Sequence, residues 1–194
     1  MIEAKASLEG LSPLMMHSDR LVNPFDPLAR ELKKVSGKRT KTDDDYMKMS
    51  YIEFVAGLYH DEDIGPYIPS KVLKAAMIRG AAKSKEGPKI KGGVQILEEK
   101  NSLIYKGPRE IDELWEQNEH VDIRSVGIGK KRVMRTRPIF PDWRVKFELH
   151  IDESVLDKDD VKRILQTTGK LLGICELRPE LGGNYGRFLA KEVK

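Results

Sequence analysis

A nine-residue stretch of alternating apolar and charged residues places the strongest constraint on how this chain can fold. Its apolar members are Trp143, Val145, Phe147, Leu149 and Ile151, and between them stand Arg144, Lys146, Glu148 and His150. Because successive side chains of a β-strand point to opposite faces, a period of two predicts a strand with one buried and one solvated face. Residues 2–9 alternate in the same way. The sequence therefore predicts two strands that are each half-buried.

Two segments with helical spacing accompany these strands. In the first, one stripe contains Val72, Leu73, Ala76, Met77 and Gly80, and Ser70 is the predicted N-cap. The second helix is predicted over about 159–172, and Gly173 lies just past its end, where glycine commonly terminates a helix.

The order of the elements predicts the fold class. A short hairpin over 94–97 and 103–105 follows the first helix, and a glycine-rich segment leads into a last strand that begins near Arg187. The order is then strand, helix, strand pair, strand, helix, strand. This order predicts an α+β fold with a ferredoxin-like (RRM-like) β-α-β-β-α-β core and long insertions.

The whole chain, 1–194, is predicted to form one domain, since 194 residues suit a single core. A basic insertion is expected at about 17–60, as a loop with a helical turn near 27–34 followed by a helix over roughly 45–59. A second, irregular insertion is expected at about 98–135, and the segment from Val121 to Phe140 predicts two short strands.

Composition excludes several classes of protein. No apolar run approaches the roughly 18–20 residues of a membrane span, which excludes an integral membrane protein. The first ten residues carry charges where a signal peptide would have its apolar region. The single cysteine, Cys175, excludes a disulfide scaffold and a multi-cysteine metal site. We therefore expect a cytoplasmic protein that does not contact a membrane.

Motifs that identify catalytic sites are missing from the sequence. The four histidines lack zinc-binding spacing, and neither a phosphate-binding loop nor a nucleophile elbow occurs. Three adjacent carboxylates, Asp43, Asp44 and Asp45, could hold a divalent ion for phosphodiester cleavage. The simpler interpretation is that they cap the following helix and interact with its dipole. We therefore expect no catalytic residue, no metal and no cofactor, with these aspartates as the catalytic candidates if that expectation fails.

Basic residues are segregated although the total charge is nearly balanced, with 35 Lys and Arg against 31 Asp and Glu. They form three clusters: residues 33–41, with Lys38, Arg39 and Lys41; residues 83–91, with Lys83; and residues 124–137, with Arg124, Lys130, Lys131, Arg132, Arg135 and Arg137. Lys and Arg release counterions when they neutralise a polyanion, so such clusters favour nucleic-acid binding. Aromatic residues that could stack on bases are Tyr46, Tyr67, Phe140, Trp143 and Tyr185, of which Phe140 and Trp143 are assigned to the core.

Three stretches carry a family resemblance. EAKASLEGLSPLMMH runs from a strand into a glycine and a Ser-Pro-Leu turn, YIPSKVLKAAMIRGAAKS from a turn into a helix, and RPELGGNYGRFLAKEV from a glycine-rich loop into the last strand. Together, in this order, they resemble the RAMP superfamily, the repeat-associated proteins of CRISPR systems, which have an RRM-like core. The likeness is greatest to the backbone subunits that polymerise along guide RNA in CRISPR effector complexes, and it covers about a third of the chain.

The chain also departs from the family pattern. Lys71 stands where the family often has Ser, and Ala75 where Gly is usual. At 194 residues the chain is short for a backbone subunit and resembles a compact, stand-alone relative of the kind found in phage and prophage genomes.

The resemblance implies binding residues at two places. At the helix they are Ser70, Lys71, Lys74 and Arg79, and in the glycine loop they are Gly182, Gly183, Asn184, Tyr185, Gly186 and Arg187. A helix N-terminus and glycine-loop amides both suit phosphate oxygens.

The leading hypothesis is a non-catalytic protein that binds RNA or single-stranded nucleic acid through its phosphates, with little sequence specificity, and that forms a homo-oligomer or filament along the strand. One alternative is a metal-dependent endoribonuclease that uses Asp26 or Asp43 to Asp45. Another is a structural or assembly subunit that binds no nucleic acid. The glycine loop could also be a plain turn, in which case its glycines serve the chain path alone.

Overall fold

The computed structural model describes residues 1–129 and 131–194. The strands are β1 (Ile2–Gly10), β2 (Leu14–Met15), β3 (His60–Asp61), β4 (Gly65–Pro69), β5 (Val94–Ile96), β6 (Lys100–Ile104), β7 (Val121–Ile128), β8 (Lys131–Phe140), β9 (Arg144–Ile151) and β10 (Phe188–Val193). The α-helices are α1 (Pro27–Ser36), α2 (Asp43–Gly57), α3 (Ser70–Ala82), α4 (Gly87–Gly93), α5 (Ile111–Glu116) and α6 (Lys158–Thr167). None of the helices in these ranges is long and apolar enough to cross a membrane.

The chain divides into two compact units. The sheet unit consists of Met1–Met15, His60–Lys106 and Phe140–Lys194, and the insertion unit consists of Met16–Tyr59 and Gly107–Ile139. Most of both predicted insertions falls in the insertion unit, while residues 98–106 belong to the sheet unit.

The sheet unit contains the predicted core. Its strands are ordered β10-β1-β9-β6-β4-β3, with β5 also pairing with β9, and the neighbouring strands are antiparallel. The elements β1, α3, β6, β9, α6 and β10 follow one another along the chain as β-α-β-β-α-β. The predicted α+β, ferredoxin-like fold class is confirmed.

The buried face of the sheet explains why the alternating stretches become strands. Ala6 pairs with Phe147 and Leu8 with Val145, and all four side chains are buried. The helices α3 and α6 contribute further buried apolar residues, among them Leu73, Met77, Ile164 and Leu165. A Cβ on Gly80 would lie 1.9 Å from the Thr168 hydroxyl, so this glycine permits the close approach of α3 to the turn after α6.

Three local details of the sheet unit differ from expectation. The segments expected as a hairpin over 94–97 and 103–105 form β5 and β6, which both pair with β9 along its length. Ser70 is the first residue of α3 rather than its N-cap; Pro69 holds the cap position without a side-chain hydrogen bond, and the Ser70 amide donates to the Glu99 carbonyl. Trp143 precedes β9, and its indole N–H donates to the Ser12 carbonyl at 2.9 Å.

The insertion unit has more regular structure than its sequence predicts. Residues expected as a loop with one turn form the ten-residue helix α1, which Asp26 caps by accepting the Leu28 amide. Residues expected as irregular contain α5, whereas the two strands predicted between Val121 and Phe140 are present as the antiparallel hairpin β7–β8. Trp115 of α5 packs on Phe54 of α2, with 5.4 Å between ring centroids. This aromatic packing gives the unit buried apolar contacts of its own.

Candidate nucleic-acid interface

A groove in the insertion unit brings together two of the three predicted basic clusters. Its volume is about 760 Å³, and it is lined by residues 41–53, mostly of α2, and by β7 and β8 of the hairpin. Lys41 comes from the first cluster, and Arg132 and Arg135 come from the third. Cations that are about 90 residues apart in the sequence therefore line one concave surface.

Polar contacts join helix and hairpin along the floor of this groove. The buried Glu53 carboxylate accepts hydrogen bonds from the Arg135 guanidinium at 2.6 Å and from the Thr136 amide at 2.9 Å. The hydroxyls of Ser50 and Thr136 are 2.5 Å apart. Because a buried carboxylate is stable when it is paired and hydrogen-bonded, these contacts fix the Arg135 side chain as part of the floor.

The cations of the first and third basic clusters differ in how many contacts their side chains make. The Lys41 ammonium donates to the Lys38 carbonyl at 2.8 Å, and the Lys38 ammonium pairs with Asp45 at 2.5 Å. Arg39 and Arg132 are exposed, and neither side chain has a hydrogen-bond or ion-pair partner among the described residues. Arg39, Lys41 and Arg132 therefore present positive charge to solvent.

The three adjacent aspartates act on the helix that follows them. Asp45 and Thr42 form a capping box at the start of α2, with each side chain accepting the other's backbone N–H. The Lys38 ammonium holds the pKa of the Asp45 carboxyl below its usual 3.8. Asp43 and Asp44 are exposed in the first turn of the helix. In residues 1–129 and 131–194, no three His, Cys, Asp or Glu side chains are grouped so that they could hold a metal ion.

The remaining residues of the third cluster are placed unequally. Arg124 is paired with Asp122, and Lys131 is exposed at the start of β8. Arg137 is only 8% exposed, so the expectation that it contacts nucleic acid does not fit its burial. Lys130 lies outside the described residues.

Two of the cations predicted on α3 to bind nucleic acid, Lys74 and Arg79, are held by contacts within the sheet unit. Lys74 donates from its ammonium to the carbonyls of Ile90 (2.6 Å) and Val94, and burial lowers its pKa. Arg79 is 3.0 Å from Glu180, which Arg178 also contacts at 2.8 Å. Lys71 and Lys83 are exposed. Lys74 was expected to bind phosphate, but its charge is used to hold the helix α4 and the start of β5 against α3.

The glycine loop uses its amides inside the protein. The backbone N–H groups of Gly182, Gly183, Tyr185 and Gly186 donate to the carbonyls of Pro179, Arg178, Leu177 and Pro13, and the Arg187 N–H donates to the Ser12 hydroxyl. A Cβ on Gly183 would lie 1.8 Å from the Leu177 carbonyl oxygen. Gly186 has φ +66°, and a Cβ there would lie almost as close to the Ile174 carbonyl oxygen. These donors were expected to meet phosphate oxygens, and they are instead occupied by the loop's own turns.

The aromatic residues named as stacking candidates include both buried and exposed side chains. Phe140 and Trp143 are buried in the core, as expected. Tyr46 is 58% exposed and lines the groove. The groove is also lined by Met47, Ile123 and Met134. This could not be predicted, because isolated apolar residues in a helix or an alternating strand ordinarily predict burial.

Comparison with known proteins supports the fold. No family model matches the sequence, and no curated protein matches it. Among solved structures, the chain resembles one chain of the type III-B Cmr-beta in its cryo-EM structure bound to cognate target RNA, with a TM-score of 0.54 and 12% identity. The match covers 99% of this chain and 59% of that one, so the protein spans little more than half the length of its structural neighbour. At this identity the likeness shows a shared fold, and it agrees with the RAMP resemblance at that level.

Proposed function

We propose that this protein binds single-stranded nucleic acid, RNA in the first place, through the groove of the insertion unit and without a catalytic step. The observation that carries the proposal is the convergence of Lys41 and Arg132 beside an exposed tyrosine, Tyr46. Proteins that bind single strands without sequence specificity commonly use a positively charged groove with aromatic side chains. The neighbour's target RNA and its shared fold add to this support.

A salt series tests the proposal directly. Fluorescence anisotropy with a labelled 20-nucleotide RNA should show log Kd rising with log salt, and Lys41→Ala and Arg132→Ala should each lower the slope by about 0.7. Lys170→Ala removes one exposed positive charge from the sheet unit and serves as the matched control, with an unchanged slope. Equal slopes for all four proteins would remove the groove from the interface, and the absence of binding at low salt would refute nucleic-acid binding.

The finer part of the proposal is that the protein is a compact relative of CRISPR effector backbone subunits, phage-encoded, and that copies assemble along the strand. An exposed apolar segment favours contact with a second copy. Val22 is 82% exposed and Phe25 is 75% exposed, and the turn that presents them is held by the Arg20–Asp26 ion pair. Exposed apolar side chains on a pre-organised turn are typical of protein contacts.

Light scattering on a 60-nucleotide RNA measures this assembly. The parent protein should form complexes of several copies, whereas Val22→Asp combined with Phe25→Asp should leave single copies bound. A parent protein that stays monomeric on the RNA would refute the assembly and leave the nucleic-acid proposal intact.

A further inference from the structure

Four large apolar side chains line the groove and remain exposed around it. Met47 is 63% exposed, Tyr46 and Met134 are each 58% exposed, and Ile123 is 53% exposed. Single exposed apolar residues are common on proteins, but several around one concave surface mark a binding site. Phosphate contacts alone would not explain these four, because an apolar wall gains nothing from a charged oxygen.

The polar groups of the groove limit what its ligand can be. The floor groups of Ser50, Glu53 and Thr136 are already bonded to one another or to Arg135, so they do not recognise the polar edge of a ligand. What remains available is an apolar wall together with the positive charges of Lys41 and Arg132 and the single exposed carboxylate of Asp43. A suitable ligand therefore has flat apolar faces and negative charges a short distance away.

We infer that the groove binds unstacked nucleobases by their faces, with Tyr46, Met47, Ile123 and Met134 as the contact surface and the cations holding the flanking phosphates. This inference rests on the proposed function and names the part of the strand that this site takes. In a duplex the base faces are covered by their neighbours, whereas in a single strand they can be splayed onto a protein surface. A volume of about 760 Å³ lies within the usual range for ligand pockets, roughly 300–1,000 Å³.

The consequence is a division of the binding free energy into two separable parts. Phosphate contacts release counterions and determine how affinity changes with salt. Base contacts are apolar and leave that dependence unchanged, while they raise affinity at every salt concentration by an amount on the order of tenfold per base.

Abasic strands separate the two parts with the full chain. The probes are a labelled 12-nucleotide oligothymidylate, a strand of the same length whose internal positions are abasic, and the 12-base-pair duplex. We expect the abasic strand to bind at least about tenfold more weakly than the intact strand with an equal salt slope. The duplex should bind no better than the abasic strand.

Variants then assign the base contacts to the groove. Tyr46→Ser and Met134→Ser should each weaken binding of the intact strand about tenfold, leave the salt slope unchanged, and have no effect on the abasic strand. Leu171→Ser changes a comparably exposed apolar residue of the sheet unit, 52% exposed, and should behave like the parent protein.

Three results would overturn the inference. Equal affinity for intact and abasic strands would show that bases are not bound, while nucleic-acid binding itself would stand. An effect of Met134→Ser on the abasic strand would show a structural rather than a base-contacting role. Failure of all three probes to bind at low salt, together with self-association that Met134→Ser abolishes, would assign the groove to a protein partner and refute the proposed function as well.

Discussion

The glycine loop and the basic clusters that line the groove of the insertion unit are both predicted to bind nucleic acid, and they differ in where their chemical groups are directed. The loop between Gly173 and Arg187 directs its amides at carbonyls of its own unit, and its glycines lie against backbone. The groove leaves Tyr46, Met47 and Met134 exposed beside cations. A glycine-rich motif can therefore be required by the backbone conformation of a loop alone. Exposed groups without an internal partner, in contrast, indicate where a ligand could bind.

The largest effect should come from Gly183→Val. The new Cβ would meet the Leu177 carbonyl oxygen at 1.8 Å and its carbon at 2.4 Å, and backbone atoms cannot move aside as a side chain can. We expect a loss of about 2–3 kcal/mol, seen as a fall in Tm of roughly 5–10 °C in thermal unfolding. Gly92→Val is the control, because its Cβ would meet no atom within 4 Å. A Gly183→Val protein that melts like the parent but binds RNA weakly would reverse the comparison and make the loop the binding surface.

Glu53→Ala should have the next largest effect, and it tests the groove. The substitution leaves the Arg135 charge and the Thr136 amide without their acceptor. Because Arg135 is 39% exposed and can be partly rehydrated, we expect a loss of about 2 kcal/mol rather than the larger cost of a fully buried pair. Urea unfolding measures this loss. Glu31→Ala breaks the exposed pair with Lys48 in the same unit and should cost less than about 0.5 kcal/mol. Equal midpoints for the two variants would show that the floor contacts do not stabilise the groove.

Asp45→Asn should have a smaller effect that depends on pH. Lys38 and the capping box lower the folded-state pKa of Asp45 below its ordinary 3.8. Its charge therefore stabilises the fold fully above the unfolded-state pKa, and this contribution is lost as pH falls through the lowered folded-state pKa. The variant should therefore melt below the parent at pH 7 and approach it near pH 2. Thermal unfolding across this range measures the difference. Magnesium-dependent RNA cleavage by the parent, abolished in the variant, would instead support the endoribonuclease alternative.

The strands β1 and β9 could be predicted because alternating apolar and charged side chains suit a strand with one buried and one solvated face. Ala6 and Leu8 are buried beside Phe147 and Val145, as the period of two requires. A basic residue in the sequence, in contrast, does not show whether its side chain will face solvent or bond within the protein. Lys74 follows Leu73 on the helix α3 and is drawn onto the carbonyls of Ile90 and Val94, contacts between residues 16 and 20 positions apart that no local pattern encodes.

The candidate site depends even more on distant parts of the chain. Lys41 and Arg132 belong to separate insertions, and they line one groove only because α2 packs against the β7–β8 hairpin. Met134 is an ordinary strand residue in the sequence, and in the structure it is exposed and lines the groove. The basic clusters could be identified from the sequence, but which of their members act together could not.

The hydrogen bonds that join helix and hairpin on the floor of the groove also affect the rate of binding. Glu53 and the Ser50–Thr136 hydroxyl pair tie the helix to the hairpin before any ligand arrives. A site that is already assembled does not wait for a slow rearrangement, so encounter should be governed by diffusion and by attraction between unlike charges. Residence time, rather than the rate of arrival, is then the quantity that distinguishes one strand from another at this surface.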